Sequence, residues 1–391
     1  MDPCGAGTVA RGRLHRLRPA AGAPQSVIVA PHAHMPVHLR VVRMPAASYP
    51  QAVQHTIAIA QVVLILQGAR ARGLDCDRLL QRVGIAPALL ESPLARVTQA
   101  QYAALVLRLT RALRDEMWGL GARSVPLGSF ATGLRLLITC ETLGEALQAG
   151  ARYGHQVLPG FAPRLQVADG VATWRISAQG PQTEALAYAQ RSFMFFAFGV
   201  ACWLVARRIP LREVVYYQEE TAHRNDASRL FQAPVRQCSE WMGLCFDARW
   251  LALPVVQSEE SLRGFLQTAP ANLLVKYRDQ ASLTERIRRV LRRHLHEELP
   301  SLEAVSASLA MTPQTLRRRL QREGQGFQAI KDSLRRDVAV EYLSRPDLTL
   351  IEIAEKLGYS EASTFHSAFK GWTGLAPGAY REQHLASALQ Q

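Results

Sequence analysis

The residues whose types and spacing best suit chemistry lie near the C-terminal end, in the run Thr312-Pro-Gln-Thr-Leu-Arg-Arg-Arg-Leu-Gln321. Leu316 and Leu320 stand four apart and face inward on a helix, so Gln314, Arg317, Arg318 and Gln321 share the outer side, with Arg319 beside them. A guanidinium is a rigid fork of donors that matches phosphate oxygens or a guanine edge, and a glutamine amide matches adenine. That is the chemistry of nucleic-acid recognition rather than of bond making.

An element must hold these side chains out, and the sequence writes it twice. Leu302, Val305 and Leu309 form one apolar stripe, a turn falls at Ala310-Met311, and Thr312 followed by Pro313 starts a second helix as N-cap and first helical residue. Leu350, Ile353 and Leu357 repeat the stripe, Gly358-Tyr359-Ser360 repeats the turn, and Phe365 and Phe369 take the places of Leu316 and Leu320 after one inserted residue. Thr349 and Glu352 form a capping box, and Ser360 is expected to cap the second reading helix. Its outward positions are Ser363, His366 and Ser367, followed by Lys370. Between the units, Phe327, Ile330, Leu334, Val338 and Tyr342 recur at three and four residues without Pro or Gly, which predicts one continuous helix.

Leu350-x2-Ile-Ala-x2-Leu-Gly-Tyr-Ser, followed by Phe365-x3-Phe-Lys-x-Trp-x-Gly-x2-Pro377-x2-Tyr-Arg381, resembles the C-terminal DNA-binding domain of AraC/XylS-type transcription regulators. More diffusely, Leu127-Gly128, the Thr142-Leu-Gly-Glu-Ala-Leu run with Arg152-Tyr153, Phe231-x2-Pro-Val, Phe246 and Leu251-x2-Pro254 are similar to the ligand-sensing (arabinose-binding-like) N-terminal domain of one branch of that family. The resemblance implies a promoter-DNA partner, a small-molecule effector, RNA polymerase, a homodimer and a cytoplasmic location, and it favours activation. It also implies DNA contacts by Gln314, Arg317, Arg318, Arg319, Ser363, His366, Ser367 and Lys370.

Composition agrees with an anionic partner. The 391 residues carry a formal net charge of +14, which attracts nucleic acid without conferring sequence preference. Six cysteines are scattered without a C-x-x-C pair, so neither a disulfide framework nor a zinc site is expected, and no cofactor or metal is expected either. His32, His34 and His38 lack the neighbours of a metal site. His155, His223 with Asp226, and Glu219-Glu220 stand without a second catalytic group, and the common catalytic motifs are absent, so an enzyme is not expected. An enzyme fused to a DNA-reading module, or a ligand-independent architectural protein, are the competing classes.

Three segments follow in order. Residues 1–48 read as a disordered leader or an over-long start, 49–276 as a ligand-sensing and dimerisation domain, and 282–385 as the DNA-binding domain. Within the second, helices are expected from His55 to Gly73, around Leu79-Leu80 and Leu89-Leu90, from the Thr98-x-x-Gln101 capping box, after Gly128 and from Thr142. A hairpin is expected to turn at Asp169-Gly170, with strands over Glu213–Tyr217 and near Gly243–Phe246. The uncharged run from Ser192 to Ala206 falls short of the 18 or so residues of a membrane span and reads as a core helix, so no membrane partner is expected. Ser258 to about Leu274 and a helix capped by Ser282 flank a linker at Lys276–Gln280. The fold class is α+β: a mostly helical sensor with a small antiparallel sheet, then an all-α domain with two helix-turn-helix units.

Overall fold

The computed structural model describes residues 56–217, 230–269, 283–322 and 325–388. The expected leader, its three histidines, His223 with Asp226, Glu219-Glu220, the linker and the Ser282 cap lie outside the described residues. Gln51–Gln391 form one compact unit.

The chain opens with a departure from expectation. Thr56–Ala58 is a strand, β1, rather than the start of a helix, and it pairs antiparallel with β2, Arg96–Thr98, in the register Thr56↔Thr98 and Ala58↔Arg96. Thr56, Ile57, Val97 and Thr98 are β-branched and suit the pairing, but only the distant partner decides it. Helices α1 (Ile59–Ile65), α2 (Gln67–Ala71) and α3 (Cys76–Gln81) and a 3-10 turn at Pro87–Glu91 lie between the two strands. Helix α4 (Gln99–Leu113) follows β2 directly, with the Thr98–Gln101 capping box formed from both sides.

After α4, Asp115 organises a tight loop: its fully buried carboxylate accepts the backbone N–H of Met117, Gly119 and Val125 at 2.8 to 2.9 Å, and Arg72 lies 3.5 Å away. Helix α5 (Ser129–Leu137) then packs on α6 (Leu143–Val157), whose Thr142 cap accepts from the Glu145 N–H.

The hairpin forms as expected, with β3 (Phe161–Ala168) and β4 (Val171–Ala178) joined through Asp169 and Gly170, both at positive φ (50° and 71°). Helix α7 (Glu184–Leu204) comes next, followed by β5 (Leu211–Tyr217), β6 (Val235–Cys238) and β7 (Met242–Asp247). Sheet order is β3-β4-β7-β5-β6, and β5 with β6 is a parallel pair. The small sheet is therefore mixed rather than antiparallel. Val235-Arg-Gln-Cys is a short edge strand with little apolar content, which leaves no alternating pattern to find.

Helix α7 starts at Glu184, ahead of the uncharged run that marks it in sequence, and at 21 residues it is long and apolar enough to cross a membrane by length and composition. Two thirds (67%) of its apolar window is buried inside the protein. Its Met194, Phe198 and Cys202 share one core with Ala172, Trp174 and Ile176 of β4, as a core helix does. A 3-10 turn at Ala248–Ala252 and α8 (Glu259–Thr268), capped by Ser258, end this part; α8 stops short of the expected Leu274.

Among the described residues of the C-terminal part the regular elements are all helices: α9 (Leu283–Arg293), α10 (Leu302–Ser308), α11 (Pro313–Arg322), α12 (Phe327–Leu343), α13 (Leu350–Lys356), α14 (Ala362–Thr373) and α15 (Pro377–Ala388). The pairs α10–α11 and α13–α14 are the two repeated units. Both turns are left-handed at the matching position, Ala310 at φ 54° and Gly358 at φ 73°. A Cβ on Gly358 would sit 2.4 Å from the Glu297 carbonyl oxygen and 3.0 Å from that of Leu295. The second turn therefore needs glycine for two independent reasons. Gly358→Ala is expected to lower unfolding free energy by about 1–3 kcal/mol from backbone strain alone, with the clash adding to it. Ala310→Gly should change stability by less than about 1 kcal/mol. Chemical denaturation of both variants checks the contrast; equal losses would refute it.

Candidate nucleic-acid interface

In the first unit, Ser301 caps α10 by accepting the Ala304 N–H at 3.2 Å, and Thr312 accepts the Thr315 N–H at 3.2 Å as α11 begins. Leu316 and Leu320 are buried, which turns Gln314, Arg317, Arg318 and Arg319 out to solvent. Arg317 lies 3.7 Å from Glu303, with both side chains more than 60% exposed. Such a pair is worth little in water and gives way readily to a phosphate or a base edge. The Arg319 guanidinium lies 4.0 Å from the Met311 sulfur.

The second unit opens with a complete capping box. Thr349 and Glu352 complete their capping box at 2.7 and 3.2 Å, and the Thr349 N–H on the Glu352 carboxylate lowers that carboxyl below its ordinary range. The inserted residue alters the second helix, however. Its N-cap is Glu361, whose side chain makes no capping bond, and not the expected Ser360, which the insertion leaves one position too early. The Glu361 carboxylate instead takes the Ser363 hydroxyl at 3.0 Å. Phe365 and Phe369 are buried, and Ser363, His366, Ser367 and Lys370 are exposed. Phe369 meets Tyr380 of α15 edge to face, 5.3 Å between centroids. Burial pushes the Tyr380 phenol up, so it stays a neutral hydroxyl donor.

Helix α12 connects the units as one continuous run of 17 residues, about 25 Å at roughly 1.5 Å per residue. Ile330, Leu334 and Val338 are buried on its inner face. The Arg335 guanidinium stacks 4.9 Å above the Tyr359 ring, tying α12 to the second turn, and burial raises the Tyr359 phenol. His296 Nδ1 lies 3.1 Å from the Lys356 carbonyl. On the inner side of α12, Arg288 Nη2 donates to Asp337 Oδ2 at 2.8 Å, both side chains only 3% exposed. Sequence reasoning did not single out this pair. Its signal was present: an arginine beside Ile287 and an aspartate beside Val338, in the apolar phase of two amphipathic helices.

The N-terminal part holds polar groups in its core. Gln190 of α7 accepts the Gln182 amide at 3.0 Å, while its own Nε2 and the Trp174 Nε1 are buried donors without an acceptor among the described residues. The Tyr102 and Tyr188 hydroxyls share a buried hydrogen bond, and burial raises both phenols. His155 is exposed on α6. Among the described residues no three His, Cys, Asp or Glu side chains gather as a metal site, and Cys76, Cys140, Cys202, Cys238 and Cys245 are free thiols.

Comparison with known families matches residues 73–255 to the arabinose-binding N-terminal domain of AraC transcription regulators and residues 305–383 to a helix-turn-helix domain. The chain belongs to the AraC-type transcription regulators. It is a DNA-binding regulator with an N-terminal ligand-binding domain. An ornithine utilization regulator of Pseudomonas aeruginosa is 26% identical over 330 residues, 83% of this chain and 96% of that protein. The regulator VirS of Mycobacterium tuberculosis is 34% identical over 148 residues, 38% of this chain and 43% of its own length. The transcriptional activator NphR of a Rhodococcus species is 31% identical over 121 residues, 31% of this chain and 35% of its own.

The uncapped start of α14 generates a simple test. Glu361→Asp places a carboxylate within reach of the free N–H groups of the first turn, and should stabilise the protein by about 0.5–1 kcal/mol. Thermal unfolding reads the gain. A loss would mean that the Glu361–Ser363 contact outweighs a cap.

Proposed function

We propose that one chain of this AraC-type regulator reads two successive major grooves on one face of promoter DNA, through α11 and α14. The single observation that supports this most is that all eight side chains, Gln314, Arg317, Arg318, Arg319, Ser363, His366, Ser367 and Lys370, are exposed on helices whose opposite faces are buried. Helix α12 adds the spacing: about 25 Å of helix, plus the width of the flanking reading helices, approaches the roughly 34 Å between successive grooves. The site of one chain is then asymmetric, and its first half, faced by three arginines, is the more stringent. A homodimer takes two such sites as direct or inverted repeats.

An effector bound in the N-terminal part controls the reading. Its polar atoms accept from Gln190 Nε2 and Trp174 Nε1, since a buried donor without an acceptor costs free energy. The protein activates transcription through RNA polymerase in the cytoplasm and catalyses no reaction. Activation follows the relative named a transcriptional activator.

Three measurements decide this. Arg318→Ala is expected to weaken the specific site by roughly 1–3 kcal/mol and relax base preference there; an equal loss on random duplex would reassign Arg318 to phosphate contact. Inserting about 5 base pairs, half a helical turn, between the two halves of one site should remove most of the specific affinity. Undiminished binding would leave the second unit as a backbone clamp. A metabolite that raises the melting temperature of the wild-type protein should fail to do so with Gln190→Met; an unchanged shift removes Gln190 from the effector's contacts.

A further inference from the structure

Strand β1 lies ahead of both family-matched stretches, yet it is where the N-terminal part touches the helix between the two reading units. Thr56 Oγ1 donates to Asp337 Oδ1 at 2.6 Å. The same hydroxyl accepts Arg96 Nε at 2.6 Å, and Arg96 Nη2 donates to the Thr56 carbonyl at 2.7 Å. One strand further, the Arg96 carbonyl accepts the Tyr380 hydroxyl from α15. Thr56, Asp337 and Tyr380 are all at most 5% exposed, so these bonds are shielded from water. Nearby, a Cβ on Gly374 would fall 4.0 Å from that of Leu94, the ordinary separation of packed carbons.

Asp337 is thus bonded from both parts of the protein, and Arg336 of α12 also lies 3.7 Å from its Oδ1. Oδ2 takes Arg288 of α9, whose Nη1 also donates to Ser333 at 2.8 Å, all within the C-terminal helices. Oδ1 takes Thr56 of the ribbon. An aspartate in the middle of the connecting helix is therefore shared, and it cannot shift without breaking one partner or the other. The contacts fall on α12, α15 and the end of α14, while the outward side chains of α11 and α14 stay exposed. The ribbon leaves the reading surface open.

We propose that the β1–β2 ribbon is the interface through which the N-terminal domain positions α12, and with it the spacing of the two reading units. Its occupant is this chain's own segment, Thr56 with Leu94–Arg96, seated among α12, α14 and α15. The effector's influence reaches DNA through this contact at Asp337. The proposal rests on the two-groove reading above.

The test removes the shared bonds and keeps the shapes. Thr56→Val leaves Asp337 with Arg288, and Tyr380→Phe keeps its ring against Phe369. Ser333→Ala is the control, since it breaks a bond of the same network that stays within the C-terminal helices. The full-length wild type and Ser333→Ala should each unfold calorimetrically in one transition. The double variant T56V/Y380F should unfold in two, bind random duplex as before, and lose at least fivefold in affinity for a site obtained by selection from random DNA with the wild type. A single, unshifted transition with unchanged site affinity in the double variant overturns the proposal, as do two transitions in the wild type. A gain in site affinity overturns it too, since the ribbon would then be a restraint on reading. A wild type that unfolds in one transition but never discriminates any site instead sinks the two-groove reading and leaves the coupling standing.

Discussion

The buried carboxylate of Asp337 ties the N-terminal part to the helices that read DNA. An ionised aspartate at 3% exposure is tolerated only when its oxygens are supplied with donors, and breaking such a pair from one side costs roughly 3–5 kcal/mol. Among its donors are Arg288 on α9, 49 residues before it, and Thr56 on β1, 281 residues before it. Helix α12 is therefore tied at one residue both to α9 and to the ribbon.

The two units answer different demands. The first carries the charge, with three consecutive arginines on a helix capped by Thr312 and buried at Leu316 and Leu320. The second carries small outward side chains but is fixed by a complete capping box, the Tyr359–Arg335 stack, the Phe369–Tyr380 contact and a glycine pressed against Glu297. The unit with less reach carries these ties to α12, α15 and the loop at Glu297. This is the division of labour expected if one unit discriminates and the other provides the fulcrum.

Much of this was legible in sequence because it follows short periods. The repeated stripes, the Thr98 and Thr349 capping boxes, the Asp169-Gly170 turn and the continuous linker helix are each set by residues within a few positions of one another. What was not legible depends on partners far along the chain. Strand β1 exists because β2 lies forty residues on, β6 because β5 offers it an edge, and Asp337 is held by Arg288 and Thr56, 49 and 281 residues before it. Ser360 was misread as a cap for a different reason: one inserted residue shifts the helix start, and a pattern matched on the apolar stripe does not register it. For the outward residues, sequence fixed which face of each helix is free, from the positions of Leu316, Leu320, Phe365 and Phe369.

The location of β1 has a consequence for any attempt to study the halves separately. The matched stretches begin at residue 73 and at residue 305, so fragments trimmed to them discard Thr56 in one case and Arg288 in the other. A C-terminal piece cut in that way lacks both Arg288 and Thr56 beside Asp337 and opens the Tyr380 hydroxyl to water. Its melting behaviour and its groove spacing would belong to a helix relieved of its neighbours, and affinities measured on it would describe a different molecule from the intact regulator.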